Sequence, residues 1–460
     1  MKALADPDDA LAIGLTAIRT RYKVPGDFPA DALAEAKRAA GRSPADHVDR
    51  TGRPFVTLDP ASSTDLDQAF AIERSGADII LHYAIADVGW FVDDGGALDR
   101  VAWERGATLY LPDGKASLYP PILSEGAASL LPDGDRPAVV FTVRVAPDGG
   151  TRLDGVERAI VRSRAKLAYE TVRPDELPDG FTEIAERSEA AEAARGATRV
   201  DPPEQEVVAD DGHYRLLFRP ILPSERQNAA LSLATNMAVA DLQLRHRTGL
   251  FRIMPEADSW AVRRLRHTAK ALELAWPKPM SLQDFERTLD PADPAQAAFM
   301  MAVRRAGPKA SYSPYAAGAK PWHSAMAATY AHATAPLRRL ADRYVVRAAL
   351  ALANGQPVPD AVARAFPLLP EVMDRADAAD GQLHRATIDL AEAVMLRGEE
   401  GRSFAAVVTD IDERGARIQL CALPIIARVK ANGVGPGDRI EVRLTSADPA
   451  LATIRFERAA

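Results

Sequence analysis

The spacing of apolar residues changes twice along the chain. In residues 7 to 42, DPDDALAIGLTAIRTRY and DALAEAKRAAGR carry them at helical spacing. An acidic first turn and Gly41 bound two helices around the turn KVPGDFP. From residue 51 the period shortens. RPFVTL, FAIER and DIILHYAIADVGWFV are rich in Ile, Val and aromatics and predict strands. ALDRVAWERGATLY predicts a helix running into a loop, LPDGKASLYPPILSEG. VVFTVRVAPDGGTRLDGVERAIVRS predicts strand, turn at Pro147 to Gly150, and strand. AKLAYETV predicts the start of a helix, and HYRLLFRPIL a strand. Helical spacing dominates over 182–196, in NAALSLATNMAVADLQLRHRTG, through 257–306, and from PLRRLADRYVVRAALALANG to about residue 397. The last stretch returns to short strands: FAAVVTDI, ARIQLC, PIIARVK, DRIEVRL and ATIRFE, broken by Gly, Asp and Pro. Five strands in that length suit a small barrel of the OB type.

The order implies an α+β protein. We divide it into a small helical N-terminal module at 1–50, of helix-turn-helix or winged type, an α+β domain at 51–397, and an OB-type barrel at 402–460.

The length of 460 residues and an apolar share of 47% suit two or three folded domains. No apolar run approaches the roughly 20 residues of a bilayer helix. MKALADPDDA has no apolar signal region, so no membrane association is expected. Cys421 is the single cysteine, which excludes intrachain disulfides and multi-cysteine zinc sites. It implies no disulfide-linked partner and suits a reducing cytoplasm. The eight histidines form no HxH or HxxxH pair, so a metal here would be held by oxygen, as Mg²⁺ or Mn²⁺ are. Net charge is -7, yet residues 241 to 350 hold 17 Lys and Arg against 9 Asp and Glu. That basic middle fits a positively lined channel, although charge alone favours Arg-rich helices with solvated faces.

The densest chemistry lies in VTLDPASSTDLDQAF, where Asp59, Asp65 and Asp67 fall within nine residues and no Lys or Arg stands among them. Crowded carboxylates raise one another's pKa. A divalent cation supplies the missing charge and accepts oxygen ligands. Asp65 and Asp67 leave the same face of an extended backbone. The run also fits an Asp-rich surface loop with turn and capping roles. Ala61 and Ser63 break the calcium-loop pattern. The polar ASST before DLD excludes the haloacid phosphatase arrangement.

Five runs in one order carry a resemblance: VTLDPASSTDLDQAF, LHYAIADVGWFVDDGGALDRVAWERGATLYLP, LYPPILSEGAASLLPDGDRPAVVFTV, SRAKLAYETV and ATAPLRRLADRY. Together they resemble the catalytic domain of the ribonuclease II (RNB) family of exoribonucleases over roughly residues 50 to 397. The terminal barrel is the kind on which that family ends. The helical residues 1 to 50 differ from the cold-shock barrels with which its members often begin.

The resemblance implies Mg²⁺-dependent hydrolysis of single-stranded RNA from its 3′ end to nucleoside 5′-monophosphates by two metal ions. It makes Asp59, Asp65 and Asp67 metal ligands and Asp67 a catalytic residue as well. Gln68 stands where the family has a fourth aspartate; its carbonyl would ligate without charge. The alternative is a catalytically impaired RNA-binding protein on the same fold. Arg338 aligns with the arginine set against the scissile phosphate, although its sequence position alone would suit an ion pair with Asp342. Tyr169 aligns with the residue that holds the 3′-terminal nucleotide, and Tyr110 with an aromatic that stacks on a base. Ala229 and Ala230 occupy the place of an acidic pair that reads the ribose. Asp389 and Glu392 both suit a late acidic position. In the barrel, Phe404 and Phe456 read as core, leaving RNA contact to Arg414, Arg417, Arg428 and Arg439. The basic stretch 241–350 would line the strand's path.

Overall fold

The computed structural model describes residues 9–44, 46–132, 134–198, 204–210, 213–219, 221–290, 293–412 and 414–459. Two helices come first, α1 (Ala10–Arg21) and α2 (Ala30–Ala40). The chain then lays down β1 (Val48–Asp49), β2 (Phe55–Asp59), β3 (Gln68–Ser75) and β4 (Asp78–Ala86). After α3 (Val88–Phe91) and α4 (Ala97–Arg105) come the short β5 (Leu109–Leu111) and β6 (Gly114–Ala116), then β7 (Arg136–Val145), β8 (Thr151–Val161) and β9 (Ser163–Ala168). Seven of these form one sheet in the order β1-β8-β7-β4-β3-β2-β9. Its interior is antiparallel, and its two edge pairings, β1 with β8 and β2 with β9, are parallel. β4 is buried along all but its first residue, as expected of a strand covered on both faces.

Three local expectations change. The strand run through DIILHYAIADVGWFV stops at Ala86, because Asp87 caps α3 by accepting the Trp90 N–H at 3.1 Å. AKLAYETV does not start a helix. Its first residues form β9, where Ala168 pairs with Asp59. The open edge of β2 needs backbone partners, and that demand overrides the helix propensity of Ala, Lys and Leu. The segment read as a loop, LPDGKASLYPPILSEG, contains the hairpin turn and β6 and then a single wide helical turn at Leu123–Ala127.

The second half is mainly helical. α5 (Phe181–Arg195) is followed by the hairpin β10 (Glu204–Asp210) and β11 (His213–Arg219), then the long α6 (Pro223–Arg245) and β12 (Leu250–Ile253). α7 (Ser259–Ala271), α8 (Leu282–Glu286) and α9 (Pro294–Ala306) form a satellite core in which Trp276 stacks on Phe285 at 5.0 Å. β13 (Ser311–Pro314) pairs with β12, and β14 (Trp322–His323) with β15 (Ala328–Thr329). α10 (Leu340–Ala353) packs with α6 against the sheet. α11 (Asp360–Ala365) and α12 (Leu369–Leu396) follow.

α12 ties three cores together over about 42 Å, at 1.5 Å per residue. Leu369 and Met373 lie in the main core, Leu383 and Leu390 pack with α1, and Leu396 joins the barrel core. Gly14 allows the α1 crossing, since a Cβ there would sit 2.5 Å from Leu390. The two N-terminal helices divide between cores. α2 places Ala32, Ala36 and Ala39 in the main core, whereas Leu11, Leu15 and Ile18 of α1 pack with α12 and the β5–β6 and β10–β11 hairpins.

The C-terminal strands are β16 (Ser403–Asp412), β17 (Gly415–Leu420), β18 (Ile426–Val429), β19 (Arg439–Asp448) and β20 (Thr453–Arg458), in the order β18-β17-β16-β19-β20. β18 and β20 touch, so the sheet curls into a nearly closed barrel. Phe404 and Phe456 meet edge to face within its core. Among the described residues, no helix is long and apolar enough to cross a membrane.

Candidate active site

The aspartate loop leaves the sheet at Asp59 and rejoins it at Gln68. Its second half is pinned from behind. Leu66 is fully buried; its N–H donates to Ser129 Oγ at 2.9 Å, and its carbonyl accepts the Leu130 N–H at 2.9 Å. Burying Leu66 turns its neighbours Asp65 and Asp67 away from the core side chain.

Asp67 is 4% exposed. Its Oδ1 accepts the Leu337 N–H at 2.7 Å, and its Oδ2 lies 3.4 Å from Arg338 Nε. Burial pushes its pKa up to about 8, against the opposing charge of Arg338. Asp59 is pushed up to about 6, again by burial first, with Arg338 opposing and Asp65 adding to the rise. Desolvation is thus the first cause in both, and mutual crowding within the run adds to the rise only at Asp59.

The run carries no cation, and the fold brings cations from elsewhere. Lys166 on β9 donates to the Ala61 carbonyl at 2.7 Å and lowers the pKa of Asp59. Lys115 on β6 lies 2.8 Å from Asp65 Oδ1 and 3.1 Å from Glu125. Arg338 faces Asp67 from the segment before α10. That segment is held by Asp342, which is fully buried and accepts the Ala335 N–H at 2.9 Å. Asp342 also takes both arms of Arg339, at 3.0 and 2.7 Å. The ion pair suggested for Arg338 with Asp342 thus belongs to its neighbour, because the helix begins only at Leu340. On the other side, the Arg338 carbonyl accepts the Thr108 N–H, and the Leu340 N–H donates to Gly106 O at 2.9 Å. Gly106 has φ +70, and a Cβ there would lie 3.2 Å from the Val372 carbonyl.

The two tyrosines flank the loop. Tyr110 is 50% exposed and its hydroxyl donates to Asp65 Oδ2 at 3.0 Å. Tyr169 donates its N–H to the Asp59 carbonyl at 3.1 Å, and its hydroxyl accepts from Asn228 Nδ2 at 2.7 Å. Burial raises the pKa of both phenols. Gln68 turns its Oε1 to the hydroxyl of buried Tyr83, which takes one of the amide oxygen's two lone pairs.

Asp59, Asp65, Asp67, Gln68, Arg338, Tyr110 and Tyr169 thus gather at one loop. Lys115, Glu125 and Lys166 were not foreseen. Nothing local shows that the β5–β6 hairpin, the Leu123–Ala127 turn and β9 bring these three to the aspartate loop. Next to Ala229 and Ala230, the nearest acid on α6 is Glu225, engaged with Arg219 at 2.6 Å and the Leu222 N–H at 2.8 Å. Glu392 lies elsewhere, at the barrel, accepting the Ile426 N–H at 2.8 Å and Gln205 Nε2 at 2.7 Å.

The basic stretch 241–350 is not a single lining. Arg343 is buried against Asp99, Arg339 is held by Asp342, Arg347 by Asp94 at 2.7 Å and Arg252 by Asp377 at 3.0 Å. Arg245 pairs with Asp241, and Arg266 donates to the carbonyls of Pro277, Lys278 and Met280. These arginines hold helices and loops together, and Arg338 faces the aspartates.

The donors suit a hard cation, being carboxylate oxygens gathered in a partly buried loop. Among the described residues, no three acids close on one point, and Lys115 and Tyr110 each hold one oxygen of Asp65.

The RNB domain pattern matches residues 48–354. The chain belongs to the RNB family. Residues 402–459 of this RNB chain match the C-terminal S1 domain of RNase II-type exonucleases. Among curated relatives, it is 25% identical to Ribonuclease R of Aquifex aeolicus, covering 99% of this chain and 72% of that protein. It is also 25% identical to Ribonuclease R of Thermotoga maritima, over 91% of this chain and 63% of the relative. Among solved structures, Mycoplasma genitalium RNase R in complex with ribose-methylated single-stranded RNA shares its fold. The TM-score is 0.86 and the identity 18%, covering 100% of this chain and 79% of that one.

Proposed function

We propose that this RNB-family chain is a 3′-to-5′ exoribonuclease that hydrolyses single-stranded RNA to nucleoside 5′-monophosphates, with two Mg²⁺ ions in the aspartate loop. One observation carries the reading: Asp59 and Asp67, both raised in pKa by burial, converge on Arg338, whose side chain stays 46% exposed. Asp59, Asp65 and Asp67 would hold the cations, with Mn²⁺ as a substitute, and Gln68 contributes at most one remaining lone pair. Bound there, the cations would activate the attacking water and neutralise charge on the phosphodiester.

The protein's own groups set up the rest. Asp67, fixed by the Leu337 N–H, keeps one oxygen toward the site. The exposed guanidinium of Arg338 is free to approach a phosphate and to offset charge developing on it. Asn228 fixes the Tyr169 hydroxyl beside Asp59, where the 3′-terminal nucleotide would rest. The half-exposed ring of Tyr110 offers a base-independent stacking surface.

Gln68 favours a second reading, an impaired RNA-binding protein, because it removes a carboxylate and gives its oxygen to Tyr83. A denaturing-gel time course on 5′-labelled single-stranded RNA separates the two. A ladder shortening from the 3′ end with Mg²⁺ or Mn²⁺, and absent with chelator, is expected. Intact RNA in every lane with binding retained would establish the impaired protein.

A further inference from the structure

Lys115 and Tyr110 are directly opposed across the β5–β6 hairpin, so their side chains leave the same face. Both land on Asp65. Tyr110 donates to Oδ2 at 3.0 Å and Lys115 Nζ lies 2.8 Å from Oδ1. The ammonium also reaches Glu125 at 3.1 Å and Thr64 Oγ1 at 3.4 Å, and Thr64 Oγ1 donates to Glu125 at 3.0 Å. The N-terminal helix holds the hairpin in place. Arg19 of α1 grips Asp113 in the turn through two bonds, at 2.9 and 2.8 Å, and reaches the Gly114 carbonyl at 3.3 Å.

We infer that Lys115 is a built-in competitor for the cation at Asp65, an internal counter-ion that must leave Asp65 before a divalent ion can take its oxygens. An ammonium and a divalent cation seek the same carboxylate oxygens, and both cannot hold Oδ1 at contact distance. The Lys115 side chain is 20% exposed, so it has a route to solvent. Among the described residues, no ammonium contacts Asp59 or Asp67 in this way; Arg338 stands 3.4 Å from Asp67 and presents a weaker, more open pairing. The two cations of the proposed mechanism, on which this inference rests, therefore bind unequally. The one drawing on Asp65 is the weaker, and α1, through Arg19, helps set its threshold.

The test is Mn²⁺ binding to the full chain, read by calorimetry and by the spin resonance of free Mn²⁺, without RNA or turnover. Wild type is expected to show a tight and a weak class. Lys115→Met should tighten the weak class by about tenfold, equal to about 1.4 kcal/mol. Lys115→Arg, which keeps the charge, should stay near wild type. Lys115→Gln provides a second neutral variant should the methionine form not fold. Unchanged isotherms in folded neutral variants would overturn the competitor role while leaving the cation reading intact. A wild-type chain that takes up no Mn²⁺ at millimolar levels would overturn the cation reading, and this inference with it.

Discussion

The aspartate loop and the seam between α12 and the barrel both bury a carboxyl group whose pKa that burial raises. Asp67 and Glu392 each rise to about 8, and burial is the first cause in both. Their surroundings differ. Glu392 Oε1 accepts two neutral donors, the Ile426 N–H and Gln205, and Gln205 also donates to the Pro424 carbonyl. That set closes on itself and joins β10, α12 and the barrel. Asp67 meets a peptide N–H on one oxygen and an exposed arginine on the other, beside a second raised carboxyl. Burial and a raised pKa therefore do not mark a reactive site. Charge that the fold assembles but leaves open to a ligand does.

The largest effect should come from Asp67→Asn. The amide oxygen can still accept the Leu337 N–H, so the fold is kept while the anionic oxygen that a cation would draw on is removed. RNA turnover should fall by at least about 10²-fold. A variant that turns over RNA at the wild-type rate would erase the distinction drawn between the two carboxyls.

Next comes the pair of adjacent arginines. Arg338→Ala should lower kcat by about 10²-fold with little change in unfolding midpoint. Arg339→Ala strands the buried Asp342 and should instead cost about 3 kcal/mol of stability. Urea unfolding alongside single-turnover rates separates these outcomes. Equal stability losses in both variants would show that Arg338 is a scaffold residue.

The two regions were unequally legible in the sequence. The barrel strands alternate in burial along β17 and β19, and their turns carry Gly, Asp and Pro, so local pattern was enough. β3, β4, β7 and β8 were readable from their Ile, Val and aromatic content. β9 was not, because its identity comes from the edge of β2 it completes. In the site, like charges in one run announced themselves. Lys115 and Lys166 did not, since they are brought in by a hairpin register and a parallel strand pairing, and Arg338 was legible only through the family resemblance. The separation of Arg338 from Arg339 likewise depends on α10 beginning at Leu340. The seam at Glu392 gave no signal beyond an acid in a helix.

The smallest effect on activity should come from Glu392→Gln, and it sharpens the comparison most. In the unfolded chain Glu392 loses its proton near 4.5, while the folded chain keeps it to about 8. Between those values the folded state binds more protons, so stability falls as pH rises and levels off above about 8. Asp67 contributes in the same direction, from 3.8 to about 8. Each amide variant removes one such contribution. Glutamine can keep an acceptor oxygen for the Ile426 N–H, so the seam should survive. Urea midpoints between about pH 5 and about pH 8 should therefore decline less steeply in Glu392→Gln and in Asp67→Asn than in wild type. RNA turnover should be lost only in the second. A shallower stability profile in both with turnover lost in one would show that desolvation acts alike in the two places, and that the chemistry belongs to the open one. An undiminished slope in Glu392→Gln would mean that the seam carboxyl is already ionised in the folded chain, and that its burial is relieved by water or by the nearby Arg417.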